Sequence, residues 1–180
     1  MVSANREAAF ALARRKFMAG KRLEMGALAD ELGVSRMTLN RWVGSRDKLL
    51  ADVNWSLARP TLDRYRFAGH ETGVELVATT LQQFIAAVRD APFMRKFLQQ
   101  EGEIALRVLT TRDGDNQRNF IEYVRSMLAE ELPGRQFELP LEDLAYLVVR
   151  IAESFCYVDL ITGDESDPTK VGAGIRLLLG

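Results

Sequence analysis

Between residues 35 and 48 the chain gathers side chains suited to gripping a polyanion and reading its edges. Arg36, Asn40 and Arg41 carry planar, multi-donor groups, and Thr38 adds a hydroxyl. Arg and Asn are the side chains that meet guanine and adenine edges bidentately in a major groove. Arg36, Thr38 and Asn40 are the candidates for base contact. Ser35, Arg41, Trp42, Arg46 and Lys48 are assigned to phosphate positioning, and Met37 completes the outward set. This chemistry is recognition, not bond-making. An enzyme would need a nucleophile or an acid–base set, and one His (His70), one Cys (Cys156) and scattered carboxylates are poor material for one. No catalytic residue, metal ligand or cofactor is expected.

Those donors need a scaffold that holds one helix outward. Leu28, Ala29 and Leu32 form the apolar face of a helix of about two turns. Gly33 suits the positive φ that closes a helix, Val34 points inward, and Ser35 is a good N-cap for the next helix. That helix, about 36–42, has only Leu39 clearly apolar on its inner side. Gly44 and Ser45 break and re-cap the chain before a further helix from Arg46, with Leu49, Leu50 and Val53 as its buried stripe. Ala29 and Gly33 permit close helix crossing. A short packed helix, a Gly turn and a helix with a cationic outer face make a helix-turn-helix. The bland alternative is an ordinary pair of core helices with a solvated face.

The run GVSRMTLNRWVGSRDKLL, residues 33–50, resembles the DNA-binding domain of TetR-type one-component regulators, and the fit covers about residues 6–50. The family's Lys after the capping Ser corresponds to Arg36, its aromatic near the end of the recognition helix to Trp42, and its next-helix Lys to Arg46. Asn40, Val43 and Gly44 stand where Tyr, Phe and Pro are common, so no base preference is carried over. The head is also similar to the branch controlling quorum-signal lactone degradation. The resemblance implies a symmetric dimer on DNA, most often repressing, and a small, largely apolar inducer, a lactone if the branch holds.

Length and charge agree with a small head on a larger body. The 180 residues are 47% hydrophobic and 27% charged, ordinary for a globular protein. Residues 1–50 carry +5 and residues 51–180 carry −6, so the small end is the one suited to phosphate. A lone cysteine excludes a disulfide framework. No apolar run approaches the roughly 20 residues of a membrane span, and the N-terminus lacks a signal-peptide core. A cytoplasmic protein is expected, with a DNA-binding domain over 1–50 and an all-helical ligand-binding and dimerisation domain over 51–180.

The remaining elements all read as helices, and the fold class is all-α. A first helix over 3–18 is capped by Ser3, and the helix from Arg46 ends or kinks at Pro60. Residues 71–89 place Val74, Val77, Ala78, Leu81, Phe84, Ile85 and Val88 on one stripe. Short helices follow from Pro92 and over 102–109, then a loop over 110–116, a helix over 116–131, a long helix over 141–162 and a last one to Leu179. The long helix is apolar on more than one face. With Gly172 and Gly174 on the last helix, that predicts a four-helix interface between two copies through Leu147, Ile151, Phe155, Val158, Val171, Ile175 and Leu178.

Candidate inducer contacts are Trp55, Phe84, Phe97, Phe120, Tyr123 and Tyr157, with charges that interrupt apolar faces: Glu101, Arg107 and Glu153. Each aromatic reads first as a core residue, and Glu153 with Arg107 or Arg150 reads first as a structural pair. Two rival readings stay open. One is a DNA-binding regulator whose body docks a protein and holds no ligand; the more remote one is a small all-α enzyme.

Overall fold

The computed structural model describes residues 4–111 and 115–180. Helices are α1 (Arg6–Met18), α2 (Met25–Leu32), α3 (Arg36–Val43), α4 (Arg46–Arg66), α5 (Gly73–Asp90), α6 (Pro92–Gln100), α7 (Gly102–Thr110), α8 (Asp115–Glu131), α9 (Leu141–Cys156), α10 (Val158–Ile161) and α11 (Pro168–Leu179). Among the described residues there is no strand, so the all-α expectation holds.

The helices pack as two compact units. Unit 1 comprises residues 1–57 and 92–117; unit 2 comprises 58–91 and 118–180. The hairpin α6–α7 therefore packs with the N-terminal helices, and α4 and α8 each begin in unit 1 and continue into unit 2. This grouping by packing differs from the boundary at residue 50 expected from the sequence.

Unit 1 is built on α1. Ala9, Leu12, Ala13 and Phe17 are buried on one face, and Phe17 meets Phe97 edge-on at 5.3 Å between centroids. Its N-cap is Asn5, whose side chain accepts from the Ala8 N–H at 2.8 Å; Ser3, expected as the cap, lies outside the described residues. Part of the expected 110–116 loop does too, since 112–114 are not described.

Unit 2 is organised by α11 lying on α5 and α9. A Cβ at Gly172 would stand 2.2 Å from the end of the Gln82 side chain on α5, which would have to swing aside. Val171 and Ile175, expected at a subunit interface, are instead fully buried in this chain's own core. The small residues expected to bring two copies together also serve packing inside one chain: a Cβ on Gly174 would stand 3.0 Å from Ile151.

Two helix boundaries differ from the sequence expectation. α4 runs through Pro60 to Arg66, although an interior proline removes a backbone hydrogen bond and costs about 3 kcal/mol. The carbonyl left without its helical donor is that of half-buried Ser56, while Leu62 just beyond Pro60 is fully buried and anchors the continuation. The long helix expected over 141–162 breaks at Tyr157 into α9 and the single turn α10. Tyr157 is itself buried and turns the backbone (φ −109°, ψ 19°).

Candidate nucleic-acid interface

The turn that presents α3 follows from its residue types. Gly33 closes α2 at φ 66°, ψ 33°, a conformation cheap only for glycine. Ser35 then caps α3, its Oγ accepting from the Thr38 N–H at 3.1 Å and lying 3.0 Å from the Thr38 hydroxyl. Leu39 and Val43 sink into the interior of unit 1 and fix the helix's inner face. Gly44, at φ 75°, redirects the chain, and Ser45 receives the Lys48 N–H at 3.2 Å to start α4.

The opposite face of α3 is open. Arg36, Asn40 and Arg41 are exposed and Met37 is 85% exposed, with Thr38 and Trp42 half-covered. Among the described residues neither Arg36 nor Arg41 has a carboxylate partner. Two strong cations are thus left with their full capacity to bind an anion from outside.

Arg46 and Lys48 stand differently. The Arg46 guanidinium donates to the Leu23 carbonyl and to Glu101, each at 2.5 Å, and Glu101 is itself buried. Lys48 reaches Asp52 at 3.2 Å and Asp115 at 3.4 Å. Burial alone would pull the Lys48 amine down, yet hydrogen bonds to Asp52 and Asp115 outweigh it and hold the amine above its usual value. Both cations are already neutralised within unit 1. On α1, Lys16 is tied to Glu31 at 2.5 Å, and that hydrogen bond lowers the Glu31 carboxyl.

The expected inducer residues divide between the two units. Trp55, Phe97, Glu101 and Arg107 belong to unit 1, and Phe84, Phe120, Tyr123, Glu153 and Tyr157 to unit 2. Glu101 holds Arg46, and Arg107 donates to Asp47 at 2.8 Å. In unit 2, Phe84 and Phe120 stack edge-on at 5.5 Å, and Glu153, 3% exposed, is held by Arg150 at 2.7 Å. Burial, then the hydrogen bond to Asp63, raises the Tyr123 phenol; burial likewise raises that of Tyr157. An open groove of about 620 Å³ in unit 1 is lined by Arg6, Glu7, Phe10, Val43, Lys48, Asp52 and Asp115. A shallower one of about 330 Å³ in unit 2 runs along residues 128–141. None of the expected inducer residues lines either groove. Among the described residues no group of His, Cys, Asp and Glu could hold a metal ion, and no helix is long and apolar enough to cross a membrane.

A family model described as tetracyclin repressor-like, C-terminal domain, matches residues 72–180, more than half the chain. The chain belongs to the TetR family. Its fold is that of the R. erythropolis transcriptional repressor QsdR, a TetR-family protein: the TM-score is 0.89 at 24% identity, over 100% of this chain and 96% of that one. No curated protein sequence matches. TetR-family proteins are DNA-binding transcriptional regulators and not enzymes, so this chain is a transcriptional regulator.

Proposed function

We propose that this TetR-family protein is a cytoplasmic, ligand-responsive repressor that binds a pseudo-palindromic operator as a homodimer and is released by a small, largely apolar inducer. The observation that carries this reading is the outer face of α3: exposed Arg36, Asn40 and Arg41 on a helix locked from below by Leu39 and Val43. Arg36, Thr38 and Asn40 contact bases; Ser35, Arg41 and Trp42 hold phosphates, with Met37 against a base edge or sugar. Arg46 and Lys48 lie close enough to the DNA side to take part, but each must first share its charge with an internal carboxylate. Two such helices on a twofold dimer would read half-sites near one helical turn apart, about 34 Å.

Support for the dimer comes from apolar residues left on α9 and α11: Tyr146 is 48% exposed and Leu177 88% exposed, beside partly exposed Leu147, Ile151, Phe155 and Leu178. Val158, half-exposed at the start of α10, extends the set. Val171 and Ile175 would support that surface from beneath. The inducer would sit in unit 2, between the Phe84–Phe120 stack, Tyr123 and the Glu153–Tyr157 end of α9. A lactone's ring carbonyl accepts a hydrogen bond, which Tyr123 would donate by giving up its bond to Asp63 at 2.9 Å. QsdR, whose fold this chain shares, is a transcriptional repressor, which supports the sign of regulation.

Selection of bound sites from random DNA by the full chain tests this reading. The expected outcome is a two-fold symmetric consensus with two half-sites. A consensus without symmetry, or a monomer by sedimentation at micromolar concentration, removes the dimer. A thermal-shift series with acyl-lactones tests the inducer, since a pocket ligand at a hundredfold its Kd adds about 2.7 kcal/mol.

A further inference from the structure

The first turn of α4 carries three consecutive charges of alternating sign, Arg46, Asp47 and Lys48. Each meets an opposite charge from residues 101–115. Arg46 lies 2.5 Å from Glu101, the N-cap residue of α7. Asp47 lies 2.8 Å from Arg107, in the last turn of α7. Lys48 lies 3.4 Å from Asp115, the first residue of α8. All six residues belong to unit 1.

Successive helical residues point about 100° apart, so one partner helix face cannot satisfy all three. Lys48 also pairs with Asp52 of its own helix at 3.2 Å, so Arg46 and Asp47 depend on two separate points of the returning segment, and Asp115 adds a third in matching order of sign. We infer that Glu101, Arg107 and Asp115 are positioning residues that set the rotation of α4 and, through the two-residue link Gly44–Ser45, the aim of α3. The inference rests on the reading of α3 as the DNA-contacting helix.

The alternation also opposes the wrong rotation. Turning α4 by one residue would bring Asp47 toward Glu101 or Arg46 toward Arg107, pairing like charges. The three contacts differ in weight. Arg46 and Glu101 have side chains 18% and 6% exposed; losing Glu101 leaves the Arg46 charge with the Leu23 carbonyl alone, while losing Arg46 leaves Glu101 with Arg22 at 3.4 Å. The Asp47–Arg107 and Lys48–Asp115 pairs are a third to a half exposed and screened by water. The buried pair holds; the outer two select the angle. Arg46 has a further anchor in the Leu23 carbonyl, in the turn between α1 and α2.

The test uses the full chain with Arg107→Asp, Asp47→Arg and the exchanged pair Asp47→Arg/Arg107→Asp, whose outer position spares the fold; Glu101→Gln is a fourth variant. Without DNA, hydrogen exchange of the Lys48–Leu50 amides should quicken roughly tenfold in each single reversal and return in the exchanged pair. With the DNA selected by the unaltered chain as probe, each single reversal should narrow the preference over random DNA roughly tenfold at an unchanged salt slope, and the exchanged pair should restore it. A salt slope changed by about one unit in Arg107→Asp would mean a phosphate effect and overturn the inference. Unchanged exchange in the single reversals, or no recovery in the exchanged pair, overturns it as well. If the unaltered chain selects no DNA sequence, the repressor reading fails while the exchange measurements still decide the positioning role.

Discussion

The outer face of α3 and the first turn of α4 each carry two cations, two residues of chain apart, and use them oppositely. Arg36 and Arg41 are exposed and have no carboxylate partner among the described residues. Arg46 and Lys48 are held by Glu101, Asp52 and Asp115. Residue type alone would give all four the same task. The difference lies in what surrounds them: the outer side of α3 is exposed at Arg36, Met37, Asn40 and Arg41, whereas the start of α4 is held by a segment returning some 55 residues later. An unpaired exposed cation is free to trade counterions for phosphate. A paired one must break an internal contact before it can bind outside.

The largest expected effect falls on the enclosed region. Glu101→Ala, which strands the Arg46 guanidinium, should destabilise the protein by about 3 kcal/mol, read as a lowered midpoint in chemical denaturation. Arg36→Ala comes next: it should cost roughly 1–3 kcal/mol of specific DNA affinity and relax base choice at one position, with folding stability changed by less than about 0.5 kcal/mol. Equal losses on selected and random DNA would break the distinction between readout and positioning. Arg41→Ala should weaken all sequences alike and flatten the salt slope by about one unit. Arg46→Ala should instead lower stability more than it lowers the slope; the reverse order would place Arg46 with the α3 cations after all.

The smallest effect concerns an exposed pair in unit 2 and serves as a reference for water-screened charge. Hydrogen bonds from Arg176, then Thr79, lower the Glu75 carboxyl to about 2 from an ordinary 4.5. A folded-state value below the unfolded one means this contribution is present above pH 4.5 and is lost as pH falls toward about 2. Glu75→Gln should therefore remove part of the acid sensitivity of thermal unfolding in that window, lowering the neutral-pH midpoint slightly and leaving the midpoint near pH 2 unchanged.

The helix-turn-helix was legible because local rules suffice for it: Gly33, Ser35 and Leu39 each act within four residues of where they stand. The boundaries of α5, α6, α8 and α11 followed from periodicity and from Pro92 and Pro168 for the same reason. Pro60 misled because its local preference is outweighed by Leu62, whose burial depends on distant parts of the chain. The fate of Arg46 and Lys48 was hidden likewise, since Glu101 and Asp115 are 55 and 67 residues away. Glu153 was legible as one half of a structural pair with Arg150, three residues back. Val171 and Ile175 showed their apolar character but not which surface they would meet, because a face buried inside one chain and a face buried between two share the same pattern.

Cys156, the single thiol, is buried and its acidity is suppressed, burial pushing it up to about 12. Maleimides and spin-label reagents are attacked by thiolates, so the natural chain should be nearly silent to them. A cysteine placed at position 37, where Met37 is 85% exposed, would then be labelled alone, with no background substitution needed. The spacing of two such labels across an assembled pair could be followed by electron spin resonance as candidate effectors are added.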